Sequence, residues 1–90
     1  MIFAYEFDEA KSAANKAKHG IDFVSAQALW KDNDLVVFPA KALVDEVRSG
    51  AIGKLNEKYW TAYFTMRGEN IRLISVRRSR KNEEEFYESQ

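Results

Sequence analysis

A basic segment near the C-terminus is the part of this sequence best suited to chemistry. Residues 67–82 hold six of the fourteen lysines and arginines and a single acid, in a chain whose formal net charge is zero. The six are Arg67, Arg72, Arg77, Arg78, Arg80 and Lys81. Guanidinium groups bind phosphate well because their planar forks match its oxygens. The segment therefore indicates binding of an anionic backbone; the alternative is that the charges are solvated or pair along a helix.

The elements that must position these charges are a strand and the helix after it. Apolar residues within 71–76 predict the strand, and Ser79 is a suitable N-cap for a helix over 80–90. Arg80 and Lys81 would then lie in the first turn, where the positive end of the helix dipole disfavours them. A phosphate bound at this helix N-terminus would reverse that cost.

Five side chains are candidates for the chemistry itself. Since neighbouring strand residues face opposite ways, either Arg77 or Arg78 must point inward and needs an anionic partner. His19 can act as acid or base near neutral pH, but a histidine ending a helix is also typical of a simple cap. Ser75 could bind phosphate or fill a small space. Tyr87 could stack on a base or carry a proton, or it could close the core.

Several reaction classes have no support in the sequence. There is no cysteine, the one histidine lacks a nucleophile motif, and no metal-ligand spacing or glycine-rich phosphate loop is present. We therefore expect no metal and no cofactor. RNA carries its own nucleophile, the 2′-OH, so cleaving it requires only positioning, proton transfer and cationic stabilisation of the transition state. Arg72, Arg77, Arg78 and Arg80 could supply the charge.

Composition indicates one folded domain. The chain has 90 residues, of which 46% are hydrophobic and 13% aromatic, so residues 1–90 have room for a single modest core. The lack of cysteine fits a reducing cytoplasm. The first residues have no basic and apolar pattern of a signal peptide, and no apolar run is long enough to span a membrane.

The first half of the chain predicts a strand followed by two helices. The strand covers 2–7, and the first helix covers Glu9–His19, between an Asp8 cap and a Gly20 stop. We expect the first helix to pack through its alanines, which lie at helical spacing: Ala10, Ala13, Ala14 and Ala17. The second helix, capped by Asp22, covers 23–30.

The second half predicts mostly strands. They cover 35–38, 46–53, 59–66 and 71–76, with Pro39 stopping the first of them. Tyr59, Thr61, Tyr63 and Thr65 share one face of the third, and the last two strands form a hairpin. Ala40–Asp45 fits either a loop or a helical turn. The predicted class is α+β, with two N-terminal helices and a C-terminal helix packed on a three- to four-stranded antiparallel sheet.

These residues together resemble a known family. The likeness begins at Phe7-Asp8 and Lys11 and continues through Asn15, Lys18-His19-Gly20 and Phe23. It includes three strand segments and the closing helix: Arg48–Gly53, Phe64-Thr65, Ile71–Arg78 and Glu83–Tyr87. In this pattern the chain resembles the BrnT-type toxins, the ribonuclease half of BrnT/BrnA toxin–antitoxin systems.

The resemblance implies a RelE-like fold and an endoribonuclease that needs no metal. It implies a tight complex with a BrnA-like ribbon-helix-helix antitoxin that masks the site, and binding of operator DNA only through that complex. We expect a cytoplasmic location and no contact with a membrane. The candidate catalytic residues are His19, Arg72, Ser75, Arg77 and Arg78. The candidate RNA- and phosphate-binding residues are Lys18, Arg48, Arg80, Lys81 and Tyr87.

Two other functions use the same basic patch. In one, the chain binds RNA or DNA without cleaving it, and binding falls steeply with salt. In the other, the patch docks an acidic protein partner and has no role in nucleic-acid binding.

Overall fold

The computed structural model describes residues 4–40 and 48–90, which form three α-helices and a five-stranded mixed sheet. The elements in chain order are β1 (Tyr5–Glu6), α1 (Glu9–His19), α2 (Phe23–Ala26) continued by a 3-10 helix (Gln27–Lys31), β2 (Val36–Ala40), β3 (Arg48–Leu55), β4 (Lys58–Arg67), β5 (Asn70–Arg78) and α3 (Lys81–Glu88). No helix in these two ranges is long and apolar enough to cross a membrane.

The sheet confirms the α+β class but corrects its architecture. The strand order is β1-β5-β4-β3-β2, so the described sheet has five strands, not three or four. The predicted all-antiparallel arrangement is wrong because β1 pairs with β5 in parallel, Tyr5 opposite Ile71. This pairing joins residues far apart in sequence, which no local pattern reveals. The predicted strand start at Ile2 and the predictions for residues 41–47 lie outside the described residues.

Local signals placed the helix ends correctly in the first half of the chain. The Asp8 side chain accepts a hydrogen bond from the Lys11 amide at 3.1 Å, and α1 ends at Gly20, which has a φ of 83°. Asp22 caps α2 by accepting from the Ser25 amide at 2.7 Å. Carboxylate caps and a left-handed glycine satisfy backbone groups that the helix itself cannot.

Two tight turns set the register of the antiparallel strands. Asn56 and Glu57, both with positive φ, join β3 to β4, as a two-residue hairpin turn requires. Gly68, with a φ of 61°, lies in the turn between β4 and β5 and confirms the predicted last hairpin. Pro39 does not stop β2 as predicted. It lies inside β2, which is an end strand of the described sheet, where a missing N–H can be tolerated.

The main core lies between one face of the sheet and α2 with its 3-10 continuation. Trp60, Ala62 and Phe64 of β4 are buried against Phe23 and Leu29, among others. The alternation predicted for β4 is therefore confirmed, with the opposite face carrying Tyr59, Thr61, Tyr63 and Thr65.

The packing of α1 contradicts the sequence prediction. All four of its alanines are exposed, and the buried positions are Ser12 and Asn15. The Asn15 side-chain amide donates to the carbonyls of Val76 at 2.9 Å and Ile21 at 2.8 Å, and its oxygen accepts from the Val76 amide at 3.1 Å. Because β1 pairs with β5 only as far as Arg72, Asn15 takes the place of a neighbouring strand at Val76. A polar face therefore packs here because it satisfies backbone groups that an alanine face would leave unpaired.

Candidate active site

A bulge in β5 brings three of the predicted site residues to one face of the sheet. Arg72 lies opposite Thr65, Ser75 opposite Tyr63, and Arg77 opposite Thr61, with a register shift between Tyr63 and Phe64 that leaves Ile74 as the extra residue. In a regular strand, positions 72 and 75 would face opposite sides. The bulge therefore puts Arg72, Ser75 and Arg77 on the face that does not carry the main core.

A cleft of about 410 Å³ opens on this face, and we call it the central cleft. It is lined by Ala40 of β2, Arg48 of β3, Tyr63 of β4 and Ser75 of β5. Four adjacent strands thus each contribute one residue. The cleft brings one guanidinium and two hydroxyl groups together, all of which can donate hydrogen bonds to phosphate oxygens.

Tyr63 is held in the central cleft by contacts on two sides. The Phe38 ring packs edge-to-face on the Tyr63 ring, with centroids 6.4 Å apart. Phe38 also lies directly over Gly50, where a Cβ atom would overlap it. On the other side, Arg77 Nη2 donates to the Tyr63 hydroxyl at 2.9 Å. Because the hydroxyl accepts this bond, its own proton is available for another acceptor.

Arg77 points inward and has the anionic partner that the sequence predicted it would need. Its Nη1 and Nη2 donate to the two Glu83 carboxylate oxygens, both at 2.8 Å, and the two side chains are only 19% and 13% exposed. Glu83 also accepts from Thr61 Oγ1 at 3.1 Å and from the Arg80 amide at 2.7 Å. Burial alone would raise the pKa of Glu83, but these donors outweigh it and lower the pKa to about 2. Hydrogen bonding to Glu83 also raises the pKa of Arg77.

This arrangement corrects the predicted start of the last helix. The N-cap of α3 is Arg80 rather than Ser79, and Glu83 accepts the backbone N–H that caps it. Ser79 Oγ instead contacts Thr61 Oγ1 at 2.8 Å. The N-cap amide is therefore satisfied by the protein's own carboxylate, because an acid at the third helical position can reach back to the N-cap. Phosphate binding by Arg80 and Lys81 stays a prediction.

A second concavity, which we call the basic pocket, adjoins the central cleft. It has a volume of about 170 Å³ and shares Arg48 with the central cleft. Its lining residues are Asp8, Lys11, Arg48, Arg67, Arg72, Leu73 and Ile74. Arg72 Nη1 lies 3.6 Å from Glu6 Oε1, a loose pair with both side chains about one-third exposed. The basic pocket thus gathers four cationic side chains and one acid, and that acid caps α1.

The remaining candidates lie elsewhere. Arg78 faces the opposite side of the sheet from Arg77, with its guanidinium 5.5 Å from the Trp60 ring centre. Lys18 and His19 are in the last turn of α1, and neither lines the central cleft or the basic pocket. The structure therefore does not bring His19 to Ser75 within the described residues. Arg80 and Lys81 are exposed at the start of α3.

Tyr87 is buried and not open to a base. It is 7% exposed, and its hydroxyl donates to Asp32 Oδ2 at 2.8 Å. Burial, and then this hydrogen bond, raise the pKa of Tyr87. Its ring packs against Tyr59 with centroids 5.5 Å apart. Tyr87 therefore closes the core, which was one of the alternatives for this residue in the sequence.

Sequence reasoning did not propose Tyr63 or Lys11 as site residues, and it counted Arg67 in the basic segment without assigning it a role. The regular alternation of β4 put Tyr63 on the face opposite the core, which was a usable signal. Lys11 could not be placed beside Arg67, because the two lie far apart in the chain and meet only in the folded domain. No group of three or more His, Asp or Glu residues in the described ranges is arranged to hold a metal ion.

The fold and its clefts define a class: a small α+β domain with a basic, hydroxyl-lined sheet face suited to a phosphate backbone. A family model described as "Ribonuclease toxin, BrnT, of type II toxin-antitoxin system" matches residues 7–83 of the 90. The chain belongs to the BrnT family of ribonuclease toxins. A comparison with curated proteins gave no match. Membership implies RNA as the substrate and a cognate antitoxin as the partner.

Proposed function

We propose that this toxin cleaves RNA in the central cleft without a metal ion, by attack of the substrate's own 2′-OH on the adjacent phosphate. Family membership supports the ribonuclease activity. The observation that carries the mechanism is the convergence of Arg48, Tyr63 and Ser75 on one cleft. The groups there are donors and one cation, which is what a phosphate gaining negative charge in its transition state requires.

The reaction in this cleft follows from those donors. The P–O2′ bond forms as the P–O5′ bond breaks, which gives a 2′,3′-cyclic phosphate and a 5′-hydroxyl end. Arg48 and the Ser75 hydroxyl bind the non-bridging oxygens, and the Tyr63 hydroxyl donates its proton toward the leaving 5′ oxygen. The 2′-OH proton passes to solvent, from which Tyr63 regains the proton that it gives to the 5′ oxygen. Catalysis then depends mainly on positioning and charge.

Arg77 has a different role from the one suggested by the sequence alone. Its charge is balanced by Glu83, but its second nitrogen holds the Tyr63 hydroxyl at 2.9 Å. We assign Arg77 as a positioning residue that acts through Tyr63. Arg72 acts from the adjoining basic pocket. Roles for Lys18 and His19 stay predictions, because their helix end lines neither cavity.

The test is RNA cleavage by the purified toxin in excess EDTA, with analysis of the product ends. We expect cleavage with 2′,3′-cyclic phosphate ends. Tyr63→Phe keeps the ring and should lower kcat by about 10²-fold, which is typical of losing one donor to the transition state. Lys58→Ala, an exposed lysine outside both cavities, should cleave normally.

Three results would overturn the proposal. Loss of cleavage in EDTA would show that the reaction needs a metal ion. Full activity of Tyr63→Phe would show that the Tyr63 hydroxyl takes no part in it. RNA that binds in a salt-dependent way but stays intact would favour the non-catalytic binding function.

The antitoxin type belongs to the same proposal. We expect a ribbon-helix-helix partner that masks the central cleft, cytoplasmic action on RNA, and operator binding only by the toxin–antitoxin complex. The partner should inhibit cleavage at a one-to-one ratio, and the toxin alone should not shift operator DNA. Cleavage that persists in the complex would contradict masking.

A further inference from the structure

We propose that the basic pocket is a second phosphate subsite, which binds an RNA phosphate next to the one cleaved. The inference rests on the proposed function, since it takes the central cleft as the place of cleavage. It adds a substrate requirement: the toxin recognises two consecutive charged phosphates. The inference is based on the basic pocket, which is smaller than the central cleft and has cations of its own.

Three cations of the basic pocket, Lys11, Arg67 and Arg72, are not balanced by the described residues that line it. Lys11 and Arg67 make no side-chain hydrogen bond or ion pair with other described residues, and Arg72 has only the loose pair with Glu6. Asp8, the one acid in the lining, already accepts from the Lys11 amide as the cap of α1. Like charges gathered in a concavity create a strong positive potential, which a bound anion relieves.

The elements around the basic pocket fix the backbone positions from which its cations project. Lys11 lies in the first turn of α1, fixed by the Asp8 cap, and Arg67 lies at the end of β4, opposite Asn70. Asn70 Nδ2 donates to Glu6 Oε2 at 2.7 Å, which ties the β4–β5 hairpin to β1. The pocket is therefore built from the start of α1 and from β3, β4 and β5, and binding an anion does not require these elements to rearrange.

A residue that lines both cavities indicates which anion the basic pocket binds. Arg48 lines both the central cleft and the basic pocket, so the two cavities are direct neighbours. A polymer with a phosphate at every nucleotide presents a second anion beside the first. Guanidinium forks suit phosphate oxygens, and both Arg67 and Arg72 can offer them. A neighbouring phosphate of the same RNA strand is therefore the ligand that fits both cavities at once.

The test uses an oligodeoxynucleotide that contains one ribonucleotide, so that only one bond can be cleaved. In two further versions, the phosphate on the 5′ or on the 3′ side of that bond is replaced by an uncharged methylphosphonate. Wild type, Arg67→Ala, Lys11→Ala and the control Lys58→Ala are compared on all three. Arg67 and Lys11 are exposed, so their removal should leave the fold intact.

We expect Arg67→Ala and Lys11→Ala each to lower kcat/KM by about fivefold to tenfold through KM, as is usual for a charged hydrogen bond at a partly exposed site. One of the two methylphosphonates should cause a similar loss in wild type. On that oligonucleotide the variants should lose nothing further, because the phosphate they bind is already absent. The subsite would be overturned if the variants lost the same factor in kcat/KM on both methylphosphonate oligonucleotides as on the unmodified one. It would also be overturned if Arg67→Ala and Lys11→Ala cleaved as well as Lys58→Ala.

Binding of an all-deoxy version of the oligonucleotide, which cannot be cleaved, separates this inference from the proposed function. The slope of log affinity against log salt should become shallower by about 0.7 in Arg67→Ala, the value for one phosphate contact on a single strand. If wild type fails to cleave but the slope changes, the proposed mechanism is wrong and the subsite stands. An unchanged slope, with weaker binding of the antitoxin only, would make the pocket a protein-docking site instead.

Discussion

Replacing Glu83 by glutamine should destabilise the protein and remove part of its acid sensitivity. The carboxylate of Glu83 accepts two bonds from Arg77 at 2.8 Å, one from Thr61 and one from the Arg80 amide. Glutamine keeps one carbonyl oxygen but loses the negative charge. Arg77 would then stay mostly buried without a balancing anion, which is the costly way to break such a pair.

The pKa of Glu83 sets the size of the effect. A fall in this pKa from 4.5 to about 2 means that the ionised form of Glu83 stabilises the folded state by about 3 kcal/mol. Since the glutamine oxygen can still accept one of the bonds, we expect a loss of about 2 kcal/mol in the free energy of unfolding at pH 7. In a domain of this size, that lowers Tm by roughly 10 °C.

The assay is urea unfolding followed by tryptophan fluorescence from pH 7 down to pH 2. The folded-state pKa of Glu83 lies below its unfolded value of 4.5. Its stabilisation is therefore fully present above pH 4.5 and is lost as the pH falls toward about 2. The difference in the free energy of unfolding between wild type and Glu83→Gln should therefore become smaller over that pH range.

Glu84 provides the matched control. It is the next residue in the same first turn of α3, and its side chain makes no hydrogen bond or ion pair with other described residues. Glu84→Gln should change the free energy of unfolding by less than about 0.5 kcal/mol, as is usual at a surface site. A Glu83→Gln loss that stays constant with pH, or that equals the Glu84→Gln loss, would refute the assigned role of the ion pair.

Two further predictions concern stability. Asn15→Ala removes three hydrogen bonds to the backbone of Ile21 and Val76 and should cost about 3 kcal/mol in urea unfolding, because buried backbone groups lose their partners; a loss below about 1 kcal/mol would contradict this. Gly50→Ala should cost about 1–3 kcal/mol, because the new methyl group displaces the Phe38 ring. Combining it with Phe38→Leu should recover part of the loss, and no recovery would argue against this contact.

Local chemistry made much of the fold readable from the sequence. Asp8, Gly20 and Asp22 marked helix ends because capping depends on residues next to one another in the chain. The alternation of β4 likewise predicted which of its faces carries the main apolar core. The prediction that α1 packs through its alanines was wrong. Their spacing suggested an apolar face, whereas the structure buries Asn15 on the other side of the helix.

The site was only partly readable for the same physical reason. The sequence by itself determined that arginines crowd β5 and that Arg77 or Arg78 must turn inward toward an acid. Only the tertiary structure decided that the inward residue is Arg77, that its acid is Glu83, and that Tyr63 lies beside it. Strand pairing and the bulge at Ile74 fix these neighbours, and both depend on contacts between residues distant in the chain, which spacing within one segment does not encode.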